Sequence, residues 1–306
     1  MKISVIMCTK NRVQELIGCI KSVIAQSLSP NELIIVDAGD TEKAYLKIKE
    51  EFPQDSRFKY IHTKPALTYQ RNIGVGNSSG DIIFFLDDDI VLDKDFIKEI
   101  VKVFEKDSEK RIGGVMGNIV NIQRPKTMLS KLRANLYLLV RRIFLLPGFG
   151  NGRFRSSGCP SFIQDAKEIK NVEFLSGGLT AYRKEVFKDL KFDEDFLDVH
   201  LYTDDEDFSY RVSRKYRNVY TPYAKLVHNP SPIGRVSRYI RAKMTVEARY
   251  YLLKKNFPRT LKHTLAFWWS VVGYLIQAIT TMDKESIKGV ISGIANVKKV
   301  AYTYLH

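Results

Sequence analysis

Cysteine is scarce in this sequence of 306 residues, which contains only Cys8, Cys19 and Cys159. An odd number of widely spaced cysteines supplies neither a disulfide framework nor the paired ligands of a zinc motif, so we expect a reducing compartment. We also expect no secretory signal in the first residues, because the apolar run Ile3 to Met7 is too short for one. A chain of this length can bury a sizeable core, in one large domain with an appendage or in two domains.

Negative charge is in short supply as well. The chain has 49 Lys and Arg against 34 Asp and Glu, a formal net charge of +15. Such a balance favours an anionic partner, which means nucleic acid, an acidic membrane surface or a phosphorylated substrate. The sequence has no zinc-finger or RNP-type motif, and its basic stretches are interleaved with aliphatic rather than stacking side chains. Nucleic acid is therefore the least favoured of these partners.

The first half of the chain alternates short apolar runs with helical patterns. Buried strands are predicted at 3–7, 33–36, 58–61 and 82–86, and helices near 13–25, 41–51 and 67–77. This alternation predicts a parallel α/β sheet. Functional residues of such sheets lie at the carboxyl ends of the strands. Polar residues follow three of the predicted strands: Thr9 to Arg12, Asp37, and Asp87 to Asp89.

Three adjacent carboxylates, Asp87, Asp88 and Asp89, follow the apolar strand in the stretch FFLDDDIVLD. Like charges raise one another's pKa unless a positive group lies among them. The alternative is a turn that caps the following helix. Asp93 alone could provide that cap, so capping does not explain the three adjacent aspartates. We therefore predict a hard divalent cation, Mg²⁺ or Mn²⁺, held by one or two of these carboxylates together with substrate phosphates.

Six motifs, taken in order, resemble those of family 2 glycosyltransferases of the GT-A fold. They are VIMCTKNR, LIIVDAGD, ALTYQRNIGVGNSSGDIIFFLDDD, FLSGGLTAYRKEVF, TDDEDFSYRV and VYTPYAKLVHN. The resemblance runs from residue 2 to about residue 230. It implies an α/β fold with a Rossmann-like, mostly parallel central sheet flanked by helices. It also implies transfer of a sugar from a nucleotide-diphosphate donor, usually with inversion.

The resemblance assigns roles to individual residues. It makes Asp89 the direct metal ligand, with Asp87 and His228 as further ligands of Mg²⁺ or Mn²⁺. The residues that it places against the nucleotide sugar are Thr9, Arg12, Asp37, Arg71, Asp87 and Asp88. A structural hydrogen bond for His228 and a surface ion pair for Arg71 stay open as alternatives. Many relatives carry two acids where this chain has Asp37-Ala38, so the choice among UDP, GDP and dTDP stays open.

Inversion needs a base that takes the proton of the acceptor hydroxyl. The resemblance places Asp205 in that role and its neighbour Asp204 beside the sugar or acceptor. Residues 203–206 also look like the start of a helix, where acids are favourable, and both readings can hold together. Gly177 and Gly178 are expected to let the backbone approach the donor sugar or the acceptor closely, with a plain turn as the alternative.

Acidic residues are absent from 124 to 164, a stretch with eight basic residues. It contains an apolar stripe at helical spacing, formed by Leu129, Leu132, Leu136, Leu139, Val140, Ile143 and Phe144. A basic amphipathic helix predicts a membrane-surface element, with an ordinary core-facing helix as the alternative. A second acid-free stretch, 208–246, includes Arg235, Arg238 and Arg241 and is suited to acceptor phosphate or anionic lipid headgroups.

Residues 264–282 carry no charge and are long enough to span a bilayer. Ser270 and Gln277 dilute the stretch, and basic residues flank it on both sides. We predict a helical hairpin that lies in the membrane interface, with a single span and soluble packing as alternatives.

The whole sequence thus predicts a catalytic domain over 1–230, with a basic insertion at about 124–164, and a membrane-associating helical region over 231–306. The expected function is sugar transfer to a hydroxyl or phosphate acceptor, lipid-linked, at the cytoplasmic face of the cell membrane. A metal-dependent phosphatase with paired aspartates after a strand is a further alternative. The segments Arg71-Asn72-x-Gly74 and Asp204-Asp205 argue against it.

Overall fold

A computed structural model of the chain describes residues 1–122, 127–163, 166–195 and 203–304. The chain divides into two compact units. The first unit comprises Met1–Ile122, Asp165–Glu194 and Arg211–Arg235, and the second comprises Gln123–Gln164, Asp195–Tyr210 and Val236–His306. The basic insertion is therefore grouped with the C-terminal helices. The domain boundary at residue 230 stays a prediction.

The strands in the described residues are β1 Ile3–Thr9, β2 Glu32–Asp37, β3 Phe58–His62, β4 Ile82–Leu86, β5 Ile90–Leu92, β6 Ile112–Ile119, β7 Gly148–Phe149, β8 Ser161–Phe162, β9 Lys170–Val172, β10 Leu179–Arg183 and β11 Arg217–His228. The helices are α1 Val13–Ile24, α2 Lys43–Glu51, α3 Leu67–Gly76, α4 Phe96–Glu105, α5 Met128–Ile143, α6 Val186–Asp189, α7 Asp204–Lys215, α8 Arg238–Asn256, α9 Leu261–Thr280 and α10 Lys284–Tyr304. All four strands predicted from apolar runs are present, as β1 to β4.

The first unit is built on a sheet with the strand order β3-β2-β1-β4-β10-β6-β11-β5, and β9 pairs with β11. Strands β1 to β4 are parallel to one another, whereas β10 runs antiparallel between β4 and β6. In register, Thr9 lies opposite Asp37, and Met7 lies opposite Leu86. The polar residues that follow these strands therefore meet at one edge of the sheet, as the sequence predicts.

The core of the first unit follows from the apolar patterns. Every residue of β2 and β4 is buried, because these strands are covered on both faces. The apolar stripe of α1 is buried in the same core, at Leu16, Ile17, Cys19, Ile20 and Val23. Helix α3 lies close to β1, since a Cβ atom on Gly74 would be 2.5 Å from Cγ2 of Ile6. Glycine at this position lets α3 pack directly on the central strand.

The second unit is mostly helical and also contains the short strands β7 and β8. The helices α8, α9 and α10 share a buried apolar cluster that includes Val246, Phe267 and Val290. A buried ion pair anchors α7 to α8, with Nη2 of Arg249 2.8 Å from Oε1 of Glu206. The helical hairpin predicted after residue 264 is present as α9 and α10. In the part of the chain that the structure describes, which includes α9, no helix is both long and apolar enough to cross a membrane.

Helix α5 also belongs to the second unit, and it begins with a capping box in which Thr127 and Ser130 bond reciprocally. None of its described side chains is fully buried. Its apolar stripe faces solvent, with Leu132 66% and Leu136 60% exposed. The core-facing alternative for this helix is therefore wrong.

Candidate active site

Asp88 links the ends of β1 and β4. The hydroxyl of Thr9 donates to Oδ2 of Asp88 at 2.7 Å, and Nη1 of Arg12 lies 3.1 Å from its Oδ1. Asp88 is buried, and this burial raises its pKa to about 6 against the opposing effects of Thr9 and Arg12. One oxygen of Asp88 thus bonds to the last residue of β1, and the other pairs with the loop that follows β1.

Asp89, the next residue, faces a different set of partners. Its Oδ1 lies 3.2 Å from Nε2 of His228, and its Oδ2 accepts the Ser231 N–H at 3.0 Å. Burial acts to raise the pKa of Asp89, but the hydrogen bonds from His228 and Ser231 outweigh it and hold that pKa below its ordinary value. The hydrogen bond to Asp89 in turn raises the pKa of His228.

A candidate cation site is formed by Asp87, Asp89 and His228, whose ligand atoms all lie within 4.8 Å of one another. Two carboxylate oxygens and one imidazole nitrogen suit Mn²⁺, and the oxygens also suit Mg²⁺. The structure thus brings together the three residues predicted as ligands. Their binding of a metal stays a prediction.

Arg12 is the positive group that lies among the aspartates. Besides its pair with Asp88, its Nη1 is 3.8 Å from Oδ2 of Asp89. Its Nη2 donates to the carbonyl of Ile233 at 2.6 Å, which ties the segment after β11 to the same site. The sequence placed Arg12 against the nucleotide sugar but did not indicate this contact with two carboxylates.

Gly177 and Gly178 lie directly beside Arg71 and Asp87 of the site. The Asp87 N–H donates to the carbonyl of Gly178 at 3.0 Å. A Cβ atom on Gly178 would be 1.9 Å from Cγ of Asp87, and one on Gly177 would be 2.5 Å from Nη2 of Arg71. Both positions therefore require glycine so that Asp87 and Arg71 keep their places. Contact of this pair with a sugar or an acceptor stays a prediction.

Arg71 is 5% exposed, so the alternative of a surface ion pair is wrong. Its guanidinium carbon lies 5.2 Å from the ring centroid of Phe192, a cation–π contact. The neighbouring Asn72 bonds to both backbone groups of Phe192, accepting its N–H at 3.0 Å and donating to its carbonyl at 2.9 Å. No separate role was predicted for Asn72, because these bonds and a third, to Oε1 of Glu194 at 2.8 Å, reach a segment distant in the chain.

Asp37, at the end of β2, is buried, and each of its oxygens accepts a hydrogen bond. The donors are the Gly39 N–H at 2.7 Å and the Tyr60 hydroxyl at 2.6 Å. Tyr60 also lines a cavity of about 430 Å³ that is formed by residues of the first unit. The other lining residues are Asp40, Thr41, Glu42, Tyr45 and His62. Contact of Asp37 with a base or ribose stays a prediction.

The acidic run at the start of α7 lies in the second unit. Three of its four acids are buried, namely Asp204, Glu206 and Asp207, while Asp205 is partly exposed. Glu206 pairs with Arg249, and Asp207 accepts from the side chains of Asn256 and Lys255. The run occupies the first turn of the helix, as the capping alternative requires. Asp205 is thus the least buried carboxylate of the run, and its role as base stays a prediction.

The mostly parallel central sheet flanked by helices is the architecture of GT-A glycosyltransferases. A solved structure with the same fold is the mannosyltransferase PcManGT of Pyrobaculum calidifontis in complex with GDP-Man and Mn²⁺. The match has a TM-score of 0.59 at 15% identity and covers 97% of this chain and 87% of that one. At 15% identity, this structural similarity establishes the fold of the chain and nothing further.

The sequence profile of Glycosyl transferase family 2 matches residues 4–191, and the chain belongs to that family. An uncharacterised glycosyltransferase of Rickettsia conorii is 37% identical over 110 residues, which cover 35% of this chain and 18% of that protein. The glucosyl-dolichyl phosphate glucuronosyltransferase of Haloferax volcanii is 29% identical over 122 residues, 38% of each chain. The chain thus matches less than half of the length of these relatives. The family prediction is confirmed, and it outweighs the phosphatase and nucleic-acid alternatives.

Proposed function

We propose that this chain is an inverting glycosyltransferase that moves a sugar from a nucleotide-diphosphate sugar to a hydroxyl or phosphate acceptor. The observation that carries the proposal is the cluster of Asp87, Asp89 and His228 at the carboxyl edge of a mostly parallel sheet, where ligands of α/β proteins bind. Family membership and the GT-A fold agree with it.

The donor site in this proposal consists of residues at the ends of β1, β2 and β4. A divalent cation bound by Asp87, Asp89 and His228 would stabilise the charge of the leaving nucleoside diphosphate. Thr9 and Arg12 hold Asp88, and so keep the loop after β1 beside the acidic cluster. The buried guanidinium of Arg71 lies beside Gly177 and supplies positive charge that would bind the diphosphate. Asp37, at the end of the neighbouring strand β2, would bind the ribose or the base.

Asp205 is the proposed general base. A base must be reachable by the acceptor, and Asp205 is partly exposed while the acids around it are buried. Its Oδ1 accepts the Glu206 N–H at 2.9 Å, a contact that orients the carboxylate at the helix start. The buried Glu206–Arg249 pair fixes that turn of α7 in place. Asp204, buried next to it, is assigned to the sugar or acceptor side.

The proposed acceptor is lipid-linked and is met at the cytoplasmic face of a membrane. Exposed apolar side chains of α5 and α9 support this, including Leu132, Leu136, Leu265 and Trp269. The two helices adjoin, since the Trp269 indole donates to the carbonyl of Ile143 at 2.8 Å. Helix α5 carries four basic residues and no acid, which favours an anionic bilayer. The Haloferax relative, by its name, acts on a dolichyl phosphate sugar.

A direct test supplies the chain with labelled UDP-, GDP- and dTDP-sugars, Mn²⁺ or Mg²⁺, and either a membrane lipid extract or free saccharides. We expect label to enter the organic phase with one donor only, and EDTA to abolish the transfer. Analysis of the anomeric configuration of the product decides whether the reaction inverts. Label that enters only free saccharides would contradict the lipid-linked acceptor. No transfer from any donor, with any acceptor, would contradict the proposed function.

A further inference from the structure

A cavity of about 340 Å³ lies among α5, α8, α9 and α10, all of which belong to the second unit. Three arginines line it: Arg141, Arg238 and Arg241. Among the described residues that line this cavity, the only carboxylate is Asp283. Three guanidinium groups against one carboxylate leave a formal charge of +2, and such an excess favours an anion.

The guanidinium of Arg141 is held in place before any ligand arrives. It donates to the carbonyl of Pro147, to the Tyr137 hydroxyl at 2.6 Å and to Oε1 of Gln277 at 3.3 Å. These partners lie on α5, on α9 and in the loop after α5. A side chain that is already ordered loses less conformational freedom when it binds a ligand.

Arg238 is held less firmly. Its Nη1 lies 3.7 Å from Oδ2 of Asp283, and the arginine side chain is 76% exposed. Asp283 itself also accepts from the backbone N–H and the hydroxyl of Ser286. The arginine is therefore able to leave this long ion pair for an anion in the cavity while Asp283 keeps its bonds to Ser286.

Helices α8 and α10 add to the positive potential because both of them begin at the cavity. Tyr239 bonds to Ser292 and Glu247 bonds to Asn296, so the two helices run in the same direction. Arg238 and Arg241 lie in the first turn of α8. The N-terminal end of a helix carries partial positive charge.

The C-terminal turn of α9 also lines the cavity, and its carbonyls would oppose an anion. Those of Gln277 and Ala278 are occupied, since they accept the Thr281 and Asp283 N–H groups at 3.2 and 2.9 Å. The remaining lining residues include the apolar side chains of Ala242, Ala278 and Val290. Arginines above an apolar wall suit an amphiphile with an anionic head.

We propose that this cavity binds a phosphate group. Phosphate oxygens match the forked guanidinium donors, and the apolar wall accommodates what is attached to the phosphate. Two sources share this chemistry, the headgroup of a membrane amphiphile and free phosphate or diphosphate. The exposed leucines of α5, the helix that carries Arg141, favour the amphiphile. The proposal concerns a second site and does not rest on sugar transfer.

The test is calorimetric titration of the full chain with inorganic phosphate, pyrophosphate and a water-soluble short-chain phosphatidic acid. The variant Arg238→Gln/Arg241→Gln should weaken binding by about tenfold or more, because it removes two charge-assisted contacts. The matched control Arg133→Gln/Arg142→Gln removes two exposed charges of α5 outside the cavity and should change binding by at most about twofold. Tighter binding of phosphatidic acid than of phosphate identifies the lipid headgroup, and equal binding identifies the free ion.

A second variant, Thr245→Leu, enlarges a side chain that lines the cavity without a change of charge and should weaken binding of the same probes. Equal losses in the cavity pair and the control pair would mean diffuse attraction and would overturn the proposal. So would the absence of saturable binding in the parent chain. All variants should keep the parent's melting temperature and its stabilisation by nucleotide with Mn²⁺. Loss of phosphate binding in this cavity can therefore be distinguished from loss of nucleotide binding at the proposed transferase site.

Discussion

At the scale of single residues, three adjacent aspartates differ because their surroundings differ. Asp88 is buried, and its two oxygens bond to Thr9 and Arg12. These bonds hold the start of the loop after β1 in place. Asp87 and Asp89 point their ligand atoms toward His228 instead. The run of acids in the sequence indicated a cation site. It could not indicate which acid bonds to Thr9 and Arg12, because that depends on strands that are distant in the chain, and contact of Asp88 with the nucleotide sugar stays a prediction.

We expect Asp205→Asn to cut turnover by about 10² to 10⁴, the usual contribution of general-base catalysis. Binding of the donor should stay near that of the parent chain, because the change keeps the size of the side chain and removes only its basicity. Steady-state kinetics of transfer and calorimetry of donor binding measure the two effects. If Asp205→Asn keeps its turnover while Asp204→Asn or Asp207→Asn loses it, the base is a different carboxylate of the run.

At the scale of secondary-structure elements, the first residue of β2 fixes the strand to its neighbours. Glu32 is buried and accepts from Lys59 at 2.6 Å and from the Ser79 N–H at 2.6 Å, with a further bond from Ser4. Burial acts to raise the pKa of Glu32, but these hydrogen bonds outweigh it and lower the pKa to about 2. The ionised form is therefore favoured in the folded state.

A pH dependence of stability follows from Glu32. Because its pKa is lower in the folded state, its contribution is present above the ordinary pKa of about 4.5 and is lost as the pH falls toward 2. Glu32→Gln should lower the free energy of unfolding by about 2–3 kcal/mol at neutral pH, and the difference should shrink as the solution is acidified. Urea titrations at several pH values measure this. A similar loss in the control Glu50→Gln, at an exposed carboxylate, would contradict the assignment.

Helix α5 was predicted from its leucine spacing, yet the spacing could not say what the stripe faces. An apolar stripe at helical intervals fits a core and a membrane surface equally well. The structure leaves the stripe exposed, with Leu132 and Leu136 among its most exposed leucines. An exposed apolar stripe on a basic helix is the arrangement expected at an anionic bilayer.

We expect the full chain to sediment with anionic vesicles, and Leu132→Gln/Leu136→Gln to weaken this binding by about tenfold or more, since each leucine loses the gain from apolar burial. Both positions are exposed, so folding should be unaffected. Leu46→Gln changes a leucine of α2 that is 59% exposed and serves as the control. High salt should weaken binding by the parent chain without abolishing it. Equal binding by the double variant and the control would remove α5 from the membrane contact.

At the scale of the whole molecule, the sequence predicted the parallel half of the sheet because β1, β2 and β4 are continuous apolar runs. It could not predict the other half. The antiparallel place of β10 between β4 and β6 has no local signal. His228 reaches Asp89 because β11 pairs with β5, with His228 opposite Ile90. Such long-range pairing is set by tertiary packing, so His228 could be placed at this site only by resemblance.

The proposed transfer requires a metal-dependent nucleotide site at the edge of the sheet. The measurement is the melting temperature of the chain with UDP, GDP or dTDP, each with Mn²⁺, Mg²⁺ or EDTA. A ligand that binds only the folded state stabilises it in proportion to the logarithm of its concentration over Kd. We predict that one nucleotide raises the melting temperature only with a divalent cation, and that Asp89→Asn abolishes this rise. Asp93→Asn, the control at an exposed acid of the same stretch, should keep it. Stabilisation that persists in EDTA, or that survives in Asp89→Asn, would contradict a metal-dependent nucleotide site at Asp89.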